Sequence, residues 1–212
     1  MKKDTVVIDI DGVLADYRTG LLNWIIANKH GDLNRNAFEL ENEYSVWVDE
    51  RSMNISYREW LEVLEEFRMT RGKVGIPTFP YASQLCKYLK EKGYVIYLLT
   101  SRPIDIYSNI YIDTKEWLQK NDIPYDNLFW CRHKAEMVFR NGLIDRTAFA
   151  IDDEYKHIEH YSKLGIKTFW LDHFKTESPC IDRCLRVKDL MDILTDQGYD
   201  PIRFGGGTHA ET

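Results

Sequence analysis

Asp9 and Asp11 stand two positions apart where a short apolar run ends, in the stretch VVIDIDGVLAD. Side chains alternate along a strand, so positions i and i+2 project to one side. Two carboxylates held close repel each other and raise each other's pKa unless something positive offsets them. A divalent cation would do that. Taken alone, the pair is equally explained as solvated acids in a strand-to-helix loop, with Asp11-Gly12 as a turn.

Three further apolar runs also finish in polar groups. YLLTSRP delivers Thr100, Ser101 and Arg102; LFWCRHKAE delivers Arg132, His133 and Lys134; AFAIDDE delivers Asp152 and Asp153. Each group singly has a plain structural role, such as a helix N-cap for Thr100, Ser101, Asp152 or Asp153. Jointly they put acids, hydroxyls and cations on one rim of one sheet, as a phosphoryl-transfer site requires.

The elements that must position these groups alternate. Thr5–Ile10, Tyr94–Leu99, Asn127–Cys131, Ala148–Ile151 and Lys167–Leu171 have the short, continuously apolar character of buried parallel strands. Between them lie helical patterns: Ala82, Leu85, Cys86 and Leu89 before Gly93; Ile106, Ile110 and Trp117; Ile158, Tyr161 and Leu164 before Gly165. The expected fold is α/β, a three-layer Rossmann-like parallel sheet with helices on both faces.

Residues 17–75 break the alternation, with three of the six tryptophans (Trp24, Trp47, Trp60) and no convincing strand. Leu21, Leu22 and Ile25 suggest one helix. Ser56–Glu59 is a capping-box pattern that opens another, with Trp60, Val63, Leu64 and Phe67 on one face. The glycine- and proline-punctuated RGKVGIPTFP follows as a connector. The expected division is a core formed by residues 1–16 and 76–212, with 17–75 inserted as a helical cap. Asp16 is expected to cap a helix at the cap hinge, and the last residues, FGGGTHAET, to form a loose tail.

With 212 residues, 44% hydrophobic and 29% charged, the composition is that of a folded globular protein. A net charge of -6 with no block of either sign argues against a protein built to neutralise many phosphates of a long nucleic acid. Cys86, Cys131, Cys180 and Cys184 form no Cys-x-x-Cys pattern and are expected to be reduced thiols. His157 and His160, three apart, are expected on a solvated helix face. The amino terminus enters a strand almost at once, and no run is long enough to span a bilayer. The expectation is a cytoplasmic protein without a membrane partner; a homodimer is left open.

The order DIDGV, LLTS, RHKAE, IDD resembles the four motifs of the haloacid dehalogenase superfamily of phosphatases, over about two-thirds of the chain. That resemblance implies that Asp9 is a nucleophile forming an aspartyl phosphate and that Asp11 is the general acid and then base. It implies that Mg²⁺ is held by the Asp9 carboxylate, the Asp11 backbone carbonyl and Asp152 or Asp153. Thr100 and Ser101 would contact phosphate, and Lys134 would neutralise charge and steady Asp9. Family dehalogenases lack the second acid, so Asp11 points to phosphate esters.

Within the superfamily, DIDGVLAD, TSRP, CRHK and AIDD resemble the 5′(3′)-deoxyribonucleotidases, implying a small nucleotide substrate; Trp24, Tyr44, Trp47 and Trp60 are candidate lid aromatics that could stack on a base, although core packing is the expected role of any one of them. For Trp60, on the apolar face of its helix, packing is the expected role. KEWLQKNDIP and AIDDEYKHIEHYSKLGIKTFWL resemble instead the 3′-phosphatase half of phage polynucleotide kinase, whose substrate is a nucleic-acid end; charge and the inserted cap count against it. A phosphorylated receiver domain is disfavoured by the order of its acids, and a catalytically dead family member by the complete motif set.

Overall fold

The computed structural model describes residues 3–28, 55–173 and 181–200. Its centre is a six-stranded parallel sheet: β1 (Thr5–Ile8), β2 (Val95–Thr100), β3 (Asn127–Trp130), β4 (Thr147–Asp152), β5 (Lys167–Leu171) and β6 (Cys184–Val187), in the order β3-β2-β1-β4-β5-β6. Among the described residues seven α-helices accompany it: α1 (Tyr17–Ala27), α2 (Tyr57–Met69), α3 (Ala82–Glu91), α4 (Asn109–Lys120), α5 (Lys134–Arg140), α6 (Tyr155–Lys163) and α7 (Leu190–Asp196). This is the expected α/β Rossmann-like architecture.

Strand alternation divides the core in two. Val6, Ile8, Ile96, Leu98, Phe149 and Ile151 face one cluster, which takes in Leu85 and Leu89 of α3, Trp117 of α4 and Ile193 of α7. Val7, Leu99 and Ala150 face the other, with Val138 of α5 and Tyr161 of α6. Because both faces are covered, the central strands are apolar along most of their length, with polar residues at their ends.

Several local expectations hold. Ser56 caps α2 with both bonds of a capping box to Glu59, and Asp16 caps α1 by accepting from the Thr19 amide at 3.1 Å. Gly93 ends α3 at φ 83°.

Others are corrected. β1 stops at Ile8, because the Ile10 carbonyl accepts the amides of Leu14 and Ala15 and so bends the chain. The rule of alternation therefore does not govern Asp9 and Asp11. Ile106 precedes α4 and is exposed, and β6, α5 and α7 are additional elements. His157 is buried at the start of α6, not solvated, whereas His160 is exposed. Trp60 packs into the core as expected, and Trp24 packs edge-on against Phe67, so neither is a free lid ring. Tyr44, Trp47, Cys180 and the FGGGTHAET tail lie outside the described residues.

Candidate active site

The strand order reverses direction around β1, whose neighbours are β2 and β4. Beyond the carboxyl ends of strands at such a reversal, the adjoining loops part and leave a crevice. A cleft of about 470 Å³ lies there, lined among others by Asp9, Asp11, Thr100, Ser101, Lys134 and Asp153.

Asp9 follows β1 directly and is held at both oxygens. Its Oδ1 accepts the Ile10 amide at 2.7 Å, and its Oδ2 lies 2.6 Å from the Lys134 ammonium. Lys134 opens α5, is almost fully buried, and also donates to Asp152 Oδ2 at 2.8 Å. The other Asp152 oxygen accepts the Glu154 amide at 3.0 Å, which fixes the turn into α6. Asp9, Asp152 and Asp153 each offer a carboxylate oxygen within 4.8 Å of the others. Ionised, these three acids and one lysine leave two negative charges in a buried place. Burial pushes Asp9 up to about 7, helped by Asp152 and Asp11 and opposed by Lys134. Burial, then Asp152 and Asp9, raises Asp153 well above its ordinary value. Lys134 loses by burial but gains more from Asp9 and Asp152, so its ammonium is held charged. An all-oxygen set carrying excess negative charge fits a hard divalent cation such as Mg²⁺.

Asp11 turns away from this trio. Arg102 grips it in a fork, Nε to Oδ2 at 2.9 Å and Nη2 to Oδ1 at 2.7 Å, and Lys73 Nζ reaches Oδ2 at 2.9 Å. Burial alone would raise the Asp11 carboxyl, but Arg102 and Lys73 outweigh it and hold it well below the carboxylate range. Arg102 is itself fixed: Nη1 donates to Thr114 Oγ1 at 3.1 Å, and its guanidinium sits 5.6 Å from the Trp117 ring centre. Lys73 belongs to a 3₁₀ turn, Gly72–Gly75, and its ammonium lies 3.9 Å from the centre of the Tyr17 ring. Burial lowers it to about 8, against the pull of Asp11.

Thr100 ends β2, buried, and its hydroxyl accepts the Arg102 amide at 3.3 Å. Ser101 is exposed on the cleft rim and donates to the Cys131 carbonyl at 3.2 Å. The seven residues singled out from the sequence thus meet at one end of the sheet. Asp11 stands apart from the carboxylate trio by its side chain; the resemblance assigns only its backbone carbonyl to a metal.

The sequence assigns neither Lys73 nor His173 a role in the site. Lys73 falls in a connector with neither helical nor strand periodicity, its only signal being a cation between glycines. His173, after β5, stacks on Phe79 with ring centres 4.8 Å apart, and its Nε2 lies 2.6 Å from the Gly12 carbonyl. A carbonyl only accepts, so Nε2 carries the proton. Burial lowers the His173 pKa, which favours that neutral tautomer.

No protein-family model matches the chain, and no curated protein matches it. Solved structures do. A haloacid dehalogenase-like hydrolase from Streptococcus pneumoniae aligns at 16% identity over 92% of this chain and 98% of its own, with a TM-score of 0.57. A HAD-hydrolase from Bacillus subtilis, crystallised with magnesium, aligns at 14% over 94% and 100%, TM-score 0.60. An L-2-haloacid dehalogenase aligns at 14% over 93% and 100%, TM-score 0.57. The chain has the fold of the haloacid dehalogenase-like hydrolases.

Proposed function

We propose that this protein is a Mg²⁺-dependent phosphatase of the haloacid dehalogenase superfamily, hydrolysing a small phosphomonoester through an aspartyl phosphate on Asp9. The class of substrate we favour is a (deoxy)nucleoside monophosphate. One observation carries the reading. Asp9 is a carboxylate fixed at both oxygens, 2.6 Å from Lys134, at the mouth of a cleft that also holds a second acid, Asp11.

Asp9, Asp152 and Asp153 would hold the cation, which would offset their mutual repulsion and the charge of the phosphoryl group. In the chain's own chemistry, a remaining lone pair on an Asp9 carboxylate oxygen forms a bond to phosphorus while the ester oxygen leaves with its electrons. Asp11 gives that oxygen a proton, then takes one from the water that attacks the acyl phosphate, and Asp9 is regenerated as carboxylate. Lys134 offsets charge on Asp9, and Thr100 and Ser101 donate to phosphoryl oxygens. The clamp on Asp11 adds a condition. While Arg102 and Lys73 hold it, Asp11 stays ionised: it has no proton to give, and its low proton affinity weakens it as a base as well. An incoming phosphate dianion competes for the same two cations, and their transfer to it frees Asp11 to carry a proton.

The presence of Asp11 favours phosphate esters over haloacids, since a carboxylate nucleophile displacing halide needs no second acid. The test is phosphate release from a panel of nucleoside monophosphates and sugar phosphates, with and without Mg²⁺. Metal-dependent release that favours nucleotides supports the reading. Dehalogenation of a 2-haloacid without phosphate release would replace it. That the segment 17–75 acts as a cap belongs to the same proposal, supported by Tyr17 and Lys73, near its two ends, both lining the cleft.

A further inference from the structure

A second groove, of about 410 Å³, adjoins the first, and Arg68, Ser101, Pro103 and Glu154 line both. Its remaining walls are Ile106, Tyr107, Arg132 and Lys156. The phosphatase chemistry above uses none of these four residues. They come from separate parts of the chain: the loop after β2, the loop between β3 and α5, and the first turn of α6. Three cations, Arg68, Arg132 and Lys156, therefore face one acid, Glu154, across a floor of Pro103, Ile106 and Tyr107.

The cations are available in degree. Arg132 reaches Asp105 only at 3.8 Å, with 71% of its side chain exposed. Lys156 pairs with Glu154 at 64% exposure. Arg68 lies over the Tyr107 ring, 5.5 Å from its centre. A loosely paired cation exchanges a carboxylate partner for phosphate at little cost. The exposed Ile106 and the Tyr107 ring offer apolar surface beside them.

We propose that this groove is a subsite for a second phosphate on the same substrate molecule. The inference rests on the phosphatase reading and extends its substrate class from a monophosphate to a nucleotide with a second phosphate group. The favoured ester then carries two phosphate groups joined through a sugar, one at Asp9 and the other on Arg132 and Lys156. A free second phosphomonoester and an internucleotide phosphodiester share that chemistry.

Three substrates separate the outcomes in a steady-state assay with Mg²⁺ at low ionic strength: a nucleoside 5′-monophosphate, the matching 3′,5′-bisphosphate, and a dinucleotide with a terminal phosphate. The bisphosphate, the dinucleotide or both should exceed the monophosphate in kcat/KM by roughly fivefold, as two exposed ion pairs would give. A gain by the bisphosphate alone assigns the subsite to a terminal phosphate, and a gain by the dinucleotide alone to a diester. The double variant Arg132→Gln/Lys156→Gln should erase the gain and leave the monophosphate rate unchanged, and 0.5 M salt should weaken it. Equal rates for all three, or a gain that survives the double variant, overturn the subsite alone. No release from any ester overturns the phosphatase reading and the subsite with it.

Discussion

Gly12 and Asp153 approach so closely that a β-carbon on the glycine would lie 2.1 Å from an Asp153 carboxylate oxygen. Gly12 also has φ 88°, in the left-handed region that side chains resist. The loop after β1 is thereby packed against the acid that follows β4, and the two ends of the candidate metal cluster are held in register.

Gly12→Ala should accordingly cost stability and displace Asp153. Strain of this kind is worth about 1–3 kcal/mol. Denaturant unfolding should show a loss in that range, and Mg²⁺-dependent thermal stabilisation should shrink. A variant with both quantities unchanged would remove the register argument.

Lys134→Met should be severe. It leaves Asp9 and Asp152 buried without the ammonium that bridges them, at 2.6 and 2.8 Å. Removing one partner of a buried ion pair typically costs about 3–5 kcal/mol. Unfolding in chelator should show a loss of that order, and added Mg²⁺ should return part of it because it neutralises the same acids. Turnover should be lost in either condition.

The metal-free protein should lose stability as pH rises. A carboxyl raised on folding binds its proton more tightly folded than unfolded, so between the two values the native state holds more protons. With Asp9 raised from 3.8 to about 7 and Asp153 raised by the same burial, the contribution of these two acids should fall from about pH 4 upward, opposed in part by His157 and His173, whose burial-lowered pKa values add stability as pH rises toward 6.5. Saturating Mg²⁺ should flatten that slope, since it stabilises the ionised acids. Thermal melts across this window, with chelator and with Mg²⁺, read the difference; identical pH profiles would count against a cation at these acids.

Lys73→Met should separate binding from folding. A charge-assisted hydrogen bond is worth about 1.5–3 kcal/mol, so kcat/KM should fall roughly 10- to 100-fold. Arg102 still pairs with Asp11 in the variant, so the fold should persist, as circular dichroism would report. Wild-type kinetics would show that Lys73 has no part in the site.

Much of this was legible because buried parallel strands announce themselves. Lys167–Leu171 coincides with β5, and four of the other expected runs locate their strands to within two residues at either end. β6 was hidden since Leu185 and Arg186 are exposed on the sheet edge, leaving no apolar run to see. α5 and α7 have seven residues each, too few to establish a helical period. The acids and Lys134 were found by their position after apolar runs. Their geometry was not, because alternation ends with β1 at Ile8 and the carbonyl of Ile10 redirects the chain. Lys73 meets Asp11 across 62 positions, a contact that no local pattern encodes.

The central claim is that Asp9 becomes covalently bonded to phosphorus during turnover. Acid quenching during hydrolysis of a nucleoside monophosphate, borohydride reduction of the acyl phosphate and peptide mass spectrometry test it directly. The account predicts homoserine at position 9 and at no other aspartate, with none in Asp9→Asn and no turnover by that variant. Phosphate release at the wild-type rate by Asp9→Asn, or the label on another residue, would contradict it.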